Sequence, residues 1–178
     1  MSERRRLFFA LLPEPEALAG LVGILDGLSG LPGRRVRPQN LHLTLAFIGA
    51  CDAGTVTCLR DRAAVVQAPA FELCLDRLGH FPRSGVLWLG SSEPPLALLD
   101  LVAALSEALA PCGYRPERRP YAPHMTLMRK LSRRPRLPSP RPVSWRARNF
   151  ALMESIAEPG GVRYHMLKGY PMSPDDRV

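Results

Sequence analysis

Two tetrapeptides with the same pattern of residue types are the candidates for chemistry, His42–Leu45 (HLTL) and His124–Leu127 (HMTL). The 178-residue chain contains four histidines and four threonines, and half of each lie in these two motifs. A single His-x-Thr triplet carries little information, whereas two copies that are both followed by leucine exceed what this composition predicts by chance. We therefore treat the two histidines and two threonines as one candidate site.

The spacing within each motif has a direct structural meaning. On a β-strand, residues i and i+2 share a face about 6.5–7 Å apart, so each motif presents an imidazole beside a hydroxyl. Two imidazoles on opposite sides of a phosphorus atom suit in-line displacement at a phosphodiester, because one deprotonates the nucleophile while the other protonates the leaving oxygen. The Thr44 and Thr126 hydroxyls would then hydrogen-bond the non-bridging oxygens, where charge develops.

Other chemistries have less support in the sequence. We interpret His80 and His165, which lie outside the motifs, as hydrogen-bonded or solvent-facing structural residues. Neither motif has an acidic residue or a third histidine at ligand spacing, so we expect no metal and no cofactor. The sequence lacks a Walker phosphate loop, a GxGxxG fingerprint and a Gly-x-Ser-x-Gly elbow, which leaves nucleotide-driven and serine-hydrolase chemistry without support.

Each motif closes a strand–helix–strand unit, and the two units indicate an internal repeat with pseudo-two-fold symmetry. The first unit comprises a buried strand at Leu7–Leu12, a helix opened by Pro13 and Pro15, and the strand Leu41–Ile48. The second comprises the strand Val86–Gly90, a helix opened by Pro94 and Pro95, and the strand His124–Met128. Alternation in the first motif strand predicts that Leu41, Leu43, Leu45 and Phe47 share one face.

The rest of the chain predicts four more elements and one loop. The expected elements are a helix at about Ala53–Val66 and strands at Phe71–Leu78, Trp145–Glu154 and Val162–Leu167, with a turn at Gly160 and Gly161. The segment Lys130–Pro142 has four prolines and five cationic side chains, which is typical of an extended, solvated loop.

The charge balance allows two interpretations. The chain has 24 Lys and Arg against 16 Asp and Glu, a formal net charge of +8, and only Lys130 and Lys168 are lysines. Arginine presents a planar fork suited to phosphate, which indicates a polyanionic partner such as RNA. A general preference for Arg, Ala, Leu and Pro in the genome would give the same balance.

The cysteines and the N-terminus both favour a cytoplasmic protein. The four cysteines, Cys51, Cys58, Cys74 and Cys112, show no zinc spacing and no Cys-x-x-Cys pair, so we expect reduced thiols. The apolar stretch Leu7–Leu12 is shorter than a signal sequence requires, and no apolar run approaches the roughly 20 residues that span a bilayer.

The sequence resembles the 2H phosphoesterases and, within them, the bacterial and archaeal RNA 2′,3′-cyclic phosphodiesterases, also called 2′-5′ RNA ligase-like proteins. The resemblance runs nearly end to end and includes the segments Arg6–Leu11, Asn40–Gly49, Leu78–Pro82, Val86–Trp88, Pro123–Leu127 with Arg129, and Val162–Leu167. One departure concerns Arg34–Gln39, where relatives often carry an aromatic residue that this chain lacks.

This resemblance implies an α+β, bilobal, pseudo-two-fold fold, with two antiparallel sheets flanking a central cleft and helices on the outside. Residues 1–178 would form a single domain of two intertwined lobes, with the repeats at 42–45 and 124–127. The implied activity is metal-independent hydrolysis of RNA terminal 2′,3′-cyclic phosphate to a 2′-phosphate. In the family pattern His42 is the proton donor, His124 is the proton acceptor, and Thr44 and Thr126 act with them.

Three further residues are candidates for substrate binding. Arg129 matches a family arginine and is expected to bind phosphate rather than remain a surface charge. Tyr121 would either stack on a terminal base or pack against its neighbours. Arg118, like the basic loop after the second motif, would either attract RNA or remain solvated. We expect Phe9 and Trp88 in the core.

The same residues are compatible with other functions. The reverse reaction would join RNA through a 2′-5′ linkage, and small cyclic nucleotides or tRNA fragments present the same reacting group. A non-catalytic RNA-binding module is the alternative from a different class, although a binder needs no pair of imidazoles. The expected partner is RNA with 2′,3′-cyclic phosphate ends; we expect a monomer that does not associate with membranes.

Overall fold

Both predicted strand–helix–strand units are present in the computed structural model, which describes residues 4–133 and 135–174. In chain order the elements are β1 (Arg5–Leu11), α1 (Pro15–Gly27), β2 (Arg34–Arg35), β3 (Leu43–Cys51), α2 (Ala53–Ala64), β4 (Phe71–Leu75), β5 (Arg77–Phe81), β6 (Val86–Gly90), α3 (Leu96–Leu109), β7 (His124–Arg129), β8 (Val143–Ala147), β9 (Asn149–Glu158) and β10 (Gly161–Pro171). Short 3-10 helices occupy Pro38–Asn40 and Ala110–Cys112.

The three helices begin and bury their faces as their sequences predict. Pro15 starts α1, where its fixed φ suits the first turn and its missing N–H costs nothing. The Asp52 side chain caps α2 by accepting the Thr55 backbone N–H at 2.8 Å. Every third or fourth residue of each helix is buried, as in the Leu98, Leu101, Leu105 and Leu109 stripe of α3.

The strands form two antiparallel sheets. The large sheet has eight strands in the order β10-β9-β1-β3-β7-β6-β5, with β2 paired to β7, and the small sheet consists of β4 and β8. At the centre of the large sheet, β3 and β7 are joined through the single residue pair Leu43 and Met125. Because the strands pair only there, the two halves of the sheet diverge and a cleft opens between them. The α+β fold class is confirmed, and the two sheets that flank the cleft are halves of one larger sheet.

The core lies on the side of the sheet that carries the helices. Leu43 and Met125 are fully buried there, together with Leu7, Phe9 and the leucines of α1 and α3. A second, smaller cluster on the cleft face of β1 and β9 consists of Phe8, Ala10, Ala151 and Met153. The strand β1 is therefore apolar on both faces, which explains its uninterrupted run of apolar residues. The expectation that Phe9 is a core residue is confirmed.

Two of the predicted strands are each divided between the two sheets. The predicted strand Phe71–Leu78 is β4 and β5, which separate at Asp76, where the carboxylate accepts the Ser92 backbone N–H at 2.8 Å. The predicted strand Trp145–Glu154 is likewise β8 and β9. Sequence periodicity misses these boundaries because alternation continues across them while the pairing partner changes.

The expected placement of Phe47 on the core face of β3 is wrong. The pairing of β1 with β3 shifts register twice, between Leu7 and Phe8 and between Phe9 and Ala10, and each shift leaves one residue of β3 without a partner. Such β-bulges re-aim the side chains that follow. Phe47 consequently turns to the cleft side, where 52% of its surface is exposed.

The expectation of four reduced cysteines is also wrong. Cys58 on α2 and Cys112, just after α3, form a disulfide with Cα atoms 5.7 Å apart, while Cys51 and Cys74 are free. The bond joins residues 54 positions apart because α2 packs against the C-terminal end of α3. No local spacing could have revealed the pair, since tertiary packing alone brings the two sulfurs together.

The loop between β7 and β8 is only partly solvated. Leu131 is buried and its backbone N–H donates to the Gly85 carbonyl at 3.0 Å, and Leu137 packs against the main core. The exposed cations Arg133, Arg136 and Arg141 lie between these anchors or just beyond them, and position 134 is outside the described residues. The prediction of an extended, solvated loop is therefore wrong at its two leucines. Within the described ranges, no helix is long and apolar enough to cross a bilayer.

Candidate active site

The structure brings the two His-x-Thr motifs together at the centre of the large sheet. The register that pairs Leu43 with Met125 places position 42 across from 126 and position 44 across from 124. Leu43 and Met125 point into the core, so the histidines and threonines share the opposite face, where all four are half-buried. The imidazoles therefore lie on one diagonal of this face and the hydroxyls on the other.

The same backbone contact orients each imidazole. The Nδ1 atom of His42 lies 2.7 Å from the Asn40 carbonyl oxygen, and the Nδ1 atom of His124 lies 2.8 Å from the Ala122 carbonyl oxygen. A carbonyl only accepts hydrogen bonds, so each Nδ1 carries its hydrogen. Each Nε2 is consequently the atom left to exchange a proton with a substrate.

A pair of aromatic rings flanks each histidine. The ring centroid of His42 lies 4.8 Å from that of Phe8 and 4.9 Å from that of Tyr164. The ring centroid of His124 lies 5.2 Å from that of Phe81 and 6.2 Å from that of Trp88. These contacts fix the planes of the imidazoles and remove part of their solvent. Sequence reasoning missed all of these contacts, because the four rings lie on strands other than those that carry the motifs.

The prediction that Trp88 belongs to the core is wrong. Trp88 is half-buried on the cleft face, in register with Thr126 of the neighbouring strand. Its indole lies across Gly79, where a Cβ atom would overlap the ring carbon Cζ2. A glycine is thus required at position 79 for the indole to occupy this place beside His124, to which it is inclined by 61°.

Burial dominates the electrostatics of His42. Desolvation lowers the pKa of its imidazole from 6.5 to about 4, and the charges of Arg129 and His124 lower it further, while the hydrogen bond to Asn40 acts in the opposite direction. At neutral pH the His42 ring of the unliganded protein is therefore uncharged.

Asn40 holds this half of the site in place. Its side chain is buried, with Nδ2 donating to the Val162 carbonyl at 2.7 Å and Oδ1 accepting the Tyr164 backbone N–H at 3.3 Å. Its own carbonyl accepts from His42. One residue therefore connects the backbone of β10 at Val162 and Tyr164 to the imidazole of His42. Asn40 begins one of the segments that carry the family resemblance and lies two residues before a candidate histidine, but neither signal indicated this role.

A cavity of about 470 Å³ is lined by His42 and Thr44 and by residues of β2 and β10, whereas His124 does not line it. We call it the basic cavity. Its six cationic lining residues are Arg6, Arg34, Arg35, Arg37, Arg129 and Lys130. No carboxylate is found among its lining residues in the described part of the chain. The arginines of β2 reach this place because β2 pairs with the end of β7, with Arg34 opposite Arg129.

The predicted substrate-binding residues are not all at the cavity. Arg129 is exposed and lines it. The Tyr121 hydroxyl instead donates to the Thr44 carbonyl at 2.8 Å, and burial raises the pKa of this phenol. Arg118 is exposed on the segment between α3 and β7 and does not line the cavity.

The two remaining histidines lie outside the site. His165 is exposed on β10, in agreement with its interpretation as a solvent-facing residue. His80 is half-buried on β5, and neither of its ring nitrogens has a hydrogen-bond partner within the described residues. Across residues 4–133 and 135–174, no group of three His, Cys, Asp or Glu side chains is arranged to hold a metal ion.

A comparison with known protein families identifies a superfamily that covers most of the chain. The model of the 2′-5′ RNA ligase superfamily matches residues 15–156, which is most of the chain. The chain therefore belongs to the 2′-5′ RNA ligase superfamily.

Individual members can be compared along nearly their full length. The chain is 36% identical over 175 residues to the RNA 2′,3′-cyclic phosphodiesterase of Escherichia coli, covering 97% of this chain and 99% of that protein. It is 32% identical over 182 residues to the RNA 2′,3′-cyclic phosphodiesterase of Thermus thermophilus, covering 94% and 90%. The crystal structure of E. coli LigT complexed with 3′-AMP superposes with a TM-score of 0.88 at 35% identity, covering 96% of this chain and 99% of that chain.

Proposed function

We propose that this protein hydrolyses the terminal 2′,3′-cyclic phosphate of RNA to a 2′-phosphomonoester. The observation that carries the proposal is the diagonal pair of imidazoles, each with Nδ1 committed to a carbonyl and Nε2 left for proton transfer. The names of the relatives, RNA 2′,3′-cyclic phosphodiesterases, support the same reaction.

The proposed reaction is a single displacement at phosphorus. Water attacks in line with the 3′-oxygen, and its proton passes to Nε2 of His124. As the new oxygen–phosphorus bond forms, the bond to the 3′-oxygen breaks, and Nε2 of His42 protonates that oxygen. The phosphate remains on the 2′-oxygen, and the two rings end with their protonation states exchanged.

The donor role requires that His42 gain a proton when substrate binds, because its imidazole is neutral in the unliganded protein. A phosphodiester anion beside the ring favours the charged imidazolium and offsets the opposing charge of Arg129. Substrate binding therefore prepares the donor. The hydroxyls of Thr44 and Thr126 donate to the non-bridging oxygens, and Arg129 binds the phosphate from the cavity side.

The deciding experiment is a product assay. The protein would be incubated with adenosine 2′,3′-cyclic phosphate and with an oligonucleotide that ends in a cyclic phosphate, both with excess EDTA. We expect turnover of the oligonucleotide and a 2′-phosphate product identified by phosphorus NMR. Abolition of turnover by EDTA with recovery on adding a divalent ion would contradict the two-histidine mechanism. A 3′-phosphate product would mean that the substrate binds in the reverse direction between His42 and His124.

A second candidate function is RNA joining, which the superfamily to which the chain belongs favours by name. In this reaction a 5′-hydroxyl attacks the cyclic phosphate in the reverse of a 2′-5′ phosphodiester cleavage, using the same two imidazoles. Water is in large excess over RNA ends, so hydrolysis is expected to dominate. If the product assay shows turnover of small cyclic nucleotides only, the substrate class is small nucleotides and not RNA. Tight RNA binding without turnover would support a non-catalytic RNA-binding module.

We also propose that residues 1–178 form one domain of two intertwined lobes and that the protein acts as a cytoplasmic monomer. The main core is shared by helices and strands of both repeats, which supports the single domain.

The disulfide of Cys58 and Cys112 is unusual for a reducing compartment, so a thiol count on protein isolated under reducing and oxidising conditions tests the localisation. Light scattering tests the monomer.

A further inference from the structure

The basic cavity carries more positive charge than one reacting phosphate requires. Arg34 donates to the Gly160 carbonyl, and Arg35 pairs with Asp26 at 3.3 Å. The other four cations of the lining, Arg6, Arg37, Arg129 and Lys130, are exposed and pair with no carboxylate in the described part of the chain. A cyclic phosphate brings a single negative charge. Cations that are held together without counter-charges create a positive field that attracts an anion of higher charge.

An exposed aromatic ring lies at the edge of the same cavity. The β-bulge in β3 turns Phe47 away from the core, and the guanidinium of Arg6 lies 5.0 Å from its ring centroid. An exposed phenylalanine in an aqueous cleft has no packing reason to be there, because burial of its ring would be favourable. Exposed rings beside cations form the platforms on which single-stranded nucleic acids stack their bases.

The position of the cavity relative to the histidines determines which part of a substrate it can hold. The cavity starts at His42 and Thr44 and does not include His124 or Thr126 in its lining. A phosphorus atom held between the two imidazoles therefore lies at one end of it. From a terminal 2′,3′-cyclic phosphate, an RNA chain continues only in the 5′ direction, with one phosphate and one base per nucleotide.

We propose that the basic cavity binds the RNA strand on the 5′ side of the reacting nucleotide. In this arrangement Phe47 stacks on a base, and Arg37, Lys130 and Arg6 bind backbone phosphates, while Arg129 remains beside the reacting phosphate. The proposal rests on the proposed function, since it uses the same site, and it makes a strand rather than a mononucleotide the preferred substrate. It also gives a role to Arg34–Gln39, where this chain has arginines instead of the expected aromatic residue.

The first test is equilibrium binding, which does not depend on turnover. The probe is a fluorescein-labelled hexauridylate with a 2′-phosphate end, and its anisotropy is measured across a series of salt concentrations. Each backbone phosphate contact contributes about 0.7 to the slope of log Kd against log salt for a single strand. We expect Arg37→Gln to reduce this slope by about 0.7 and Phe47→Leu to weaken binding about tenfold without changing the slope.

A matched control is Arg62→Gln, which removes one charge from an exposed position on α2 outside the cavity lining. We expect its slope and affinity to remain those of the wild type. If Arg62→Gln weakens binding as much as Arg37→Gln does, the effect comes from net charge and the proposal is wrong. Unchanged binding in both Phe47→Leu and Arg37→Gln would also overturn it. Melting curves would confirm that each variant is folded.

Kinetics separate this proposal from the proposed function. The quantity is the ratio of kcat/KM for a cyclic-phosphate-ended hexanucleotide to kcat/KM for the mononucleotide 2′,3′-cyclic phosphate. We expect this ratio to fall about tenfold in Phe47→Leu and in Arg37→Gln. A ratio that stays at the wild-type value while both substrates are hydrolysed would refute the strand site and leave the proposed function intact. Absence of turnover for both substrates, with the expected binding results, would refute the proposed function and leave the strand site intact.

Discussion

The two halves of the site share their local geometry and differ in their surroundings. Each histidine bonds through Nδ1 to the carbonyl two residues earlier, is followed two residues later by threonine, and packs against two aromatic rings. The bond of His42 to Asn40 is partly buried, whereas that of His124 to Ala122 is exposed. Only His42 opens directly into the basic cavity.

The difference arises from parts of the chain outside the repeat. Tyr164 on β10 covers His42, Asn40 is bonded to that strand by both of its amide atoms, and Arg129 places its charge nearby. These neighbours exclude water from one ring, and burial lowers its pKa to about 4. A repeat can supply two identical imidazoles, but acid and base roles require unequal environments. On its own, the lowered pKa favours the neutral, proton-accepting form of His42, so the donor role proposed for this ring depends on the negative charge of the bound phosphodiester.

Removing either imidazole is expected to have the largest effect. His42→Ala and His124→Ala should each lower kcat/KM by about two to four decades, because each removes a general acid or base. The double variant should lose far less than the product of the two effects, since the rings act as a unit. Steady-state kinetics on a cyclic nucleotide measures both.

A substrate with a p-nitrophenolate leaving group tests which histidine is the proton donor, because this group leaves without being protonated. If His42 is the donor, His42→Ala should lose much less activity on that substrate than on a cyclic nucleotide, while His124→Ala should remain impaired on both. The opposite pattern would reverse the two assignments.

The threonine hydroxyls are expected to come next in size. Thr44→Val or Thr126→Val keeps the side-chain shape and removes a donor to the phosphate oxygens, which costs about 2–4 kcal/mol of transition-state stabilisation. We expect kcat to fall about 30- to 1000-fold with unchanged melting temperature. If both variants retain the wild-type kcat, the threonines have structural roles only.

Sequence reasoning succeeded best where the residues of a motif lie on a single strand and act there together. The His-x-Thr motifs and their neighbouring helices could be found because residues i and i+2 share a strand face. The aromatic flanks of the histidines, the Asn40 contacts and the arginines of β2 could not, because each depends on contact between segments far apart in sequence, as between Asn40 and Tyr164. Phe47 was placed on the wrong face because a β-bulge breaks the alternation on which the prediction rested.

The partial burial of His42 should appear in the pH dependence of stability. Between pH 6.5 and about 4, the unfolded chain binds a proton on His42 that the folded protein excludes, so the free energy of unfolding falls as the pH falls through this range. At about 1.36 kcal/mol for each unit of pKa, the loss approaches about 3 kcal/mol. Chemical denaturation of wild type and His42→Gln at several pH values measures it. The difference between the two proteins should be flat above pH 6.5 and should shrink or change sign towards pH 4; a constant difference would mean that His42 titrates normally.

Substitution of Asn40 is expected to change activity least among these variants. It also tests most directly why the environment of His42 differs from that of His124. Asn40→Ala removes the two amide contacts to β10 and loosens the carbonyl that holds the imidazole, so kcat/KM should fall about 10- to 100-fold through misplacement of the ring. Desolvation is the largest influence on the pKa of His42, so the water admitted by loosening these contacts should raise that pKa towards 6.5. Asn40→Asp adds a negative charge two residues from His42, and this charge should raise the pKa of the ring further. NMR titration of the His42 ring in the two variants measures both shifts. A pKa of His42 that stays near 4 in Asn40→Ala would mean that Asn40 does not keep water from the ring.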